Sequence, residues 1–167
     1  MDTIESFIEK EPALHDALSE LPDKKREAVY AIYAFFKSAK KAARIDKDLE
    51  ALQEMKKDTK DTFEGQVPNK LLFEKLYESA MRFPSDITPY MELLDGIRDD
   101  YYQKEIKTDE DLEHYAEKTM GNFTRMLLPV LAQKTFKENP KPLKKAASTL
   151  AHALSITTML RNVRDDL

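Results

Sequence analysis

The sequence predicts an all-α chain: a single-domain helical bundle of about seven or eight helices over residues 1–167. Two observations carry that expectation. Glycine occurs only three times against many Ala, Leu, Glu and Lys, the residues that lose least on entering a helix. Apolar residues also recur at helical spacing in successive segments, which proline- or glycine-bearing breaks separate. There is no internal repeat, linker or low-complexity tract to suggest a second domain.

Each element has a local reason. Thr3 can cap a short first helix with Ile4, Phe7 and Ile8 on one side. Pro12 stands where a second helix, roughly 13–19, can begin. Leu21-Pro22-Asp23 reads as a turn, and Pro22 suits the first turn of a long central helix over roughly 23–44. A charged helix follows at roughly 46–63, with Leu49, Leu52 and Met55 as apolar positions, and the stretch from Gly65 to Pro68 ends it. The next helix, 69–82, offers Leu72, Leu76 and Ala80 as a buried stripe before Pro84 and Pro89 break the chain. From Thr88 to about Lys104 the stripe is Met91, Leu94, Ile97 and Tyr101. Thr108 and Asp111 form a capping box that opens a long helix over 109–134, which Gly121 and Pro129 can kink. Asn139-Pro140-Lys141-Pro142 is the last break. The final helix runs from Pro142 to the C-terminus, apolar at Ala147, Leu150, Leu154, Ile156, Met159 and Leu160.

The chain is organised around Ala28 to Asp46. The first half of that stretch is apolar and aromatic. In its second half Lys37, Lys40, Lys41 and Arg44 fall at i, i+3, i+4 and i+7, on one face of a helix. Such a helix leaves the core and enters either a polar site or solvent.

Composition narrows the function. Without cysteine there is no disulfide framework, thiol nucleophile or cysteine metal cluster, and with no signal peptide a cytoplasmic location is expected. A net charge of −4 with 35% charged residues argues against general nucleic-acid binding. No apolar run reaches the roughly 20 residues of a membrane span. His15, His114 and His152 are scattered without metal-ligand spacing. Asp99 and Asp100 point about 100° apart on a helix and cannot chelate one ion together, so a solvated face is expected for them. Tyr30, Tyr33, Phe35 and Phe36 read most simply as core.

Three blocks carry a resemblance. Leu21 to Lys37 (LPDKKREAVYAIYAFFK), Gly96 to Asn122, and Leu154 to Leu167 (LSITTMLRNVRDDL) resemble, in order, the opening, central segment and second acidic motif of the squalene/phytoene synthase family. The resemblance implies an isoprenoid-synthase-like bundle. It further implies two carboxylate clusters that hold magnesium and a prenyl diphosphate, magnesium requiring hard oxygen ligands in an octahedral shell.

Matched position by position, the acids of the first cluster fall on Lys40, Lys41 and Arg44, while Lys37 stands for an Arg. These four, with Arg161, become candidates for direct binding of an anion or diphosphate. The second motif is partly kept: Arg161 and Asp166 match, Asp165 stands for Glu, and Asn162 replaces an Asp. Tyr33, Phe36, Gly121, Ser155 and Thr158 fall where the family's pocket is lined; Ser155 and Thr158 replace Gln and Asn. Thr124 and Arg125 follow where the family keeps a small Gly beside its prenyl channel, and Ala13-Leu14-His15 occupies the place of a phosphate-touching Ser-x-Ser. Arg98, Asp100 and Tyr115 match.

The losses fall on residues the chemistry needs, while the packing pattern stays. The expectation is therefore a synthase-like bundle that has lost magnesium-dependent condensation, as a pseudoenzyme or an engineered scaffold. No metal site and no cofactor are expected. An active or weakly active synthase and a metal-independent binder of an isoprenoid, or of another apolar or anionic lipid, are the alternatives. The stripe could instead pair with Asp165 and Asp166. The family continues for several more helices, and an early end leaves apolar faces that a homodimer could cover.

Overall fold

The computed structural model describes residues 12–102 and 106–163, with side chains between 16 and 157. Its elements in chain order are α1 (Pro12–Ser19), α2 (Asp23–Arg44), α3 (Leu49–Phe63), α4 (Leu71–Arg82), α5 (Thr88–Tyr102), α6 (Asp109–Ala116), a π-helical turn (Glu117–Gly121), α7 (Asn122–Leu131), α8 (Gln133–Glu138) and α9 (Pro140–Val163). No strand occurs among the described residues. The helix expected after Thr3 lies outside them.

Helix α2 is the axis of the bundle, with α3, α4, α5 and α7 packed around it. Pro22, just outside α2, offers its carbonyl to the amides of Lys25 and Arg26, and Asp23 lies at the positive end of the helix dipole. Small residues let its neighbours approach: Ala28, Ala31, Ala34, Ala39, Ala42 and Ala43 are all buried. Between them Phe35, fully buried, meets the edges of Phe73 on α4 and Tyr90 on α5, with ring centres 6.5 and 5.5 Å away. The chain reverses after α2 through Lys47, in the left-handed region at φ 53°, and Asp48 caps α3 by accepting from the Ala51 amide at 2.8 Å. Helix α3 therefore starts three residues later than the spacing predicts.

Two glycines have structural consequences. Gly65 takes φ +84° where α3 ends, a conformation other residues adopt only at a cost. Gly96 marks a tight crossing, because a Cβ there would lie 2.6 Å from Lys118 Cβ and 3.1 Å from its carbonyl oxygen. Backbone must move to admit it. Gly96→Ala is expected to cost about 1–3 kcal/mol, as overpacking does elsewhere. Thermal unfolding tests this, and an unchanged melting temperature would mean that α5 and the π-helical turn separate freely.

Several buried faces differ from those expected. On α5 the buried residues are Tyr90, Leu93, Leu94, Gly96 and Ile97, whereas Tyr101 is exposed. On α4 they are Phe73, Leu76 and Ser79, with Leu72 and Ala80 at the margin. The expected helix over 109–134 is interrupted twice: its amide ladder widens at Glu117–Gly121 and breaks at Ala132 (φ −111°, ψ 32°), three residues after Pro129. Helix α9 begins at Pro140, so Asn139 alone makes the last break. Its buried stripe is Ala147, Ala151 and Ser155, while Leu150, Leu154 and Ile156 are exposed. Small residues win because α9 lies close against the π-helical turn, where a large side chain would hold the helices apart.

Candidate functional site

The last two turns of α2 carry the four cations, and the described residues show what holds each of them. Arg44 reaches α5, where its Nη2 and Nε donate to Asp100 Oδ2 at 2.6 and 3.0 Å. The same Nη2 donates to Tyr115 Oη on α6 at 3.1 Å. Lys41 turns back to Asp46 at 3.0 Å. The Lys37 ammonium lies 5.6 Å from the Tyr33 ring centre, and that of Lys40 lies 5.1 Å from Phe36. Phe123 on α7 completes an aromatic wall, stacked on Phe36 at 4.5 Å and edge-on to Tyr33 at 6.3 Å.

Asp100 was expected on a solvated face and is instead drawn in by Arg44, its side chain only 18% exposed. Asp99 does face outward, paired with Arg98 at 3.1 Å. The Arg44–Asp100 contact is half open to water on the arginine side, so its worth to stability is at most about 1 kcal/mol; its effect is to fix direction.

The electrostatics single out Lys40. Burial pushes its ammonium down from the usual lysine range to about 8, and the Arg44 charge pushes the same way. Asp100 opposes them, while Lys37 adds to the depression. No hydrogen-bond acceptor for this ammonium is found among the described residues; its face contact with Phe36 takes that place. Burial also raises the Tyr115 phenol above its ordinary value, and the nearby Arg44 charge works against that rise.

A second polar cluster sits behind the aromatic wall. Arg125 pairs closely with Glu117 in the π-helical turn and donates to Asn122 Oδ1 at 3.0 Å, and Glu92 on α5 lies 3.9 Å away. Ser148 on α9 is 3.5 Å from both Arg125 and Glu117. Gly121 closes the turn, and a Cβ there would meet the Glu117 carboxylate at 2.9 Å. Thr124 is occupied locally, donating to the Met120 carbonyl at 2.7 Å. The Arg125 guanidinium thus sews three helices together. On α9 the buried Ser155 Oγ and His152 Nε2 have no hydrogen-bond partner among the described residues.

The structure thus brings Tyr33, Phe36, Lys37, Lys40, Lys41 and Arg44 together at one end of α2, while Gly121 lies in the π-helical turn and Ser155 on α9, two elements packed on each other. Thr158, Arg161 and Asn162 fall in the last turns of α9, and their side chains lie outside the described residues, as do Asp165 and Asp166. Sequence reasoning missed Phe123, Glu117 and Ser148. Phe123 had a signal, since it shares a helix face with Met126 and Val130 at i+3 and i+7.

Magnesium would need clustered hard oxygen donors. At positions 40, 41 and 44 the chain presents ammonium and guanidinium groups, and the Asp100 carboxylate is already engaged by one of them. Among the described residues no three His, Asp or Glu side chains gather as a metal site. The described donor set does not fit the ion.

Comparison with known proteins places this geometry. The squalene/phytoene synthase family model matches residues 14–167. Phytoene synthase 1 of Zea mays is 27% identical over 157 residues, covering 87% of this chain and 37% of its own length. The 4,4'-diapophytoene synthase of Staphylococcus haemolyticus is 26% identical over 157 residues, covering 90% of this chain and 53% of its own. A crystal structure of a dehydrosqualene synthase in complex with a ligand superposes with a TM-score of 0.86 at 33% identity, over 95% of this chain and 54% of that one. The chain therefore spans between about a third and a half of these relatives' lengths.

Proposed function

This chain belongs to the squalene/phytoene synthase family, and we propose that within it the protein is a non-condensing member, a retained helical scaffold that has lost magnesium-dependent joining of prenyl diphosphates. One contact supports this reading most. Where the family resemblance calls for a metal-binding acid, Arg44 projects a guanidinium and closes it onto Asp100 and Tyr115. The guanidinium supplies internally the positive charge that a metal ion would bring, and it engages the Asp100 carboxylate. Lys40 and Lys41, at the other two acid positions, would repel a divalent cation at short range in a partly desolvated site.

The experiment is direct. The chain is incubated with farnesyl or geranylgeranyl diphosphate and millimolar magnesium, and organic extracts are analysed by mass spectrometry. No prenyl condensation product above a protein-free blank is expected. The melting temperature is likewise expected to ignore magnesium, because an ion that bound 100-fold below its working concentration would add about 2.7 kcal/mol. A product, or a magnesium-dependent rise in melting temperature, would restore the reading of an active synthase.

A further inference from the structure

Lys40 is the one group at the site whose charged form the described surroundings do not satisfy. Its ammonium rests on a phenyl face 5.1 Å away, between the cations of Lys37 one turn before it and Arg44 one turn after it. The charges that bear on it are those of Lys37 and Arg44 on α2 and of Asp100 on α5, whose carboxylate Arg44 already holds. Tyr115 on α6 meets Arg44. A lysine with no acceptor among the described residues, an apolar floor and cationic neighbours has the environment in which the neutral, nucleophilic amine is favoured.

We propose that Lys40 is an imine-forming amine that captures apolar aldehydes, with the Tyr33–Phe36–Phe123 wall receiving the aldehyde's hydrocarbon tail. The step balances without any co-reactant. The amine lone pair attacks the carbonyl carbon, and the C=O π pair moves onto oxygen, which takes the nitrogen's proton to give a carbinolamine. Loss of that hydroxyl with a second nitrogen proton releases water and leaves a C=N bond to Lys40 Nζ. The aromatic wall, not a charge, selects the substrate: half-buried Tyr33 and Phe123 form its outer carbon surface, and Phe36, buried beneath the Lys40 ammonium, stacks on Phe123 at 4.5 Å and holds that surface in place. A bare anion is the less fitting ligand, since Arg44 is already spent on Asp100 and Tyr115. This inference goes beyond the loss of condensation and is tested without magnesium or prenyl diphosphate, so either can fail alone.

The chain is treated with decanal or with acetaldehyde at a series of pH values, quenched with borohydride, cleaved at glutamate and mapped by mass spectrometry. At pH 7.4 Lys40 is expected to carry on the order of tenfold more decyl label than the exposed Lys57 and Lys60, the gain in neutral amine outweighing the lower basicity. Its yield should climb with pH about a midpoint near 8. Phe36→Ala should remove the preference for decanal over acetaldehyde while acetaldehyde still marks Lys40, and Lys40→Arg should abolish the selective label. Labelling of Lys40 at the level of Lys57 and Lys60 would overturn the assignment. Equal preference for the two aldehydes in the unaltered chain would overturn the apolar substrate. Protection by millimolar inorganic pyrophosphate would reassign the group to anion binding.

Discussion

Lys40→Met is expected to stabilise the protein at neutral pH, which few substitutions of a charged residue do. The ammonium is depressed to about 8 in the folded chain by burial first and then by Arg44, against about 10.4 when unfolded. Below about 8 both states hold the proton, and the folded state bears the full penalty of a poorly solvated charge. Between about 8 and 10.4 the unfolded chain binds more protons than the folded one, so stability rises with pH and the penalty fades. Methionine keeps the length and removes the charge. A gain of about 1–3 kcal/mol at pH 7 is expected, shrinking towards zero by about pH 10. Urea unfolding at both pH values measures it. No gain at pH 7, or one that persists undiminished at pH 10, would show that Lys40 is comfortably solvated.

Phe35→Ala acts in the opposite sense and on a larger scale. Phe35 is fully buried and edge-on to both Phe73 and Tyr90, and Tyr90 in turn packs on Phe63 at 5.1 Å. Removing the ring deletes transfer energy and leaves a void at the point where α2, α4 and α5 meet, a loss of about 3–5 kcal/mol. The urea midpoint should fall with its slope unchanged. A loss under about 1 kcal/mol would mean that the three helices collapse to fill the gap.

Much of this was legible in the chain. Pro22 before an unbroken helical run gave the start of α2, and the i, i+3, i+4, i+7 cations gave the stripe. Asp100 was misjudged because its partner, Arg44, is 56 residues away, and no local spacing encodes that pairing. On α9 a reading by size chose Leu150 and Leu154, yet the close approach of the π-helical turn reserved the inner face for Ala147, Ala151 and Ser155. Likewise, no local spacing marks Arg125 as the tie between Glu117, Asn122 and Ser148. Hydrophobicity gives the period of a helix; which residues its neighbours admit depends on how near they come.

The widened turn at Glu117–Gly121 carries a consequence for angular phase. Tyr115 and Phe123 are eight residues apart, which on an unbroken α-helix would set them about 80° apart around the axis. One residue taken up by the bulge makes those eight behave as seven, two turns with only about 20° of drift. Both side chains can then face α2, where Tyr115 meets Arg44 and Phe123 meets Phe36, themselves eight residues apart in the opposite sense. The bulge works as a gear tooth that keeps two antiparallel helices in mesh: straightening it with every residue retained would swing the aromatic ring about 80° away from the tyrosine, whereas deleting one residue from it would leave seven on an unbroken helix and keep ring and tyrosine in phase.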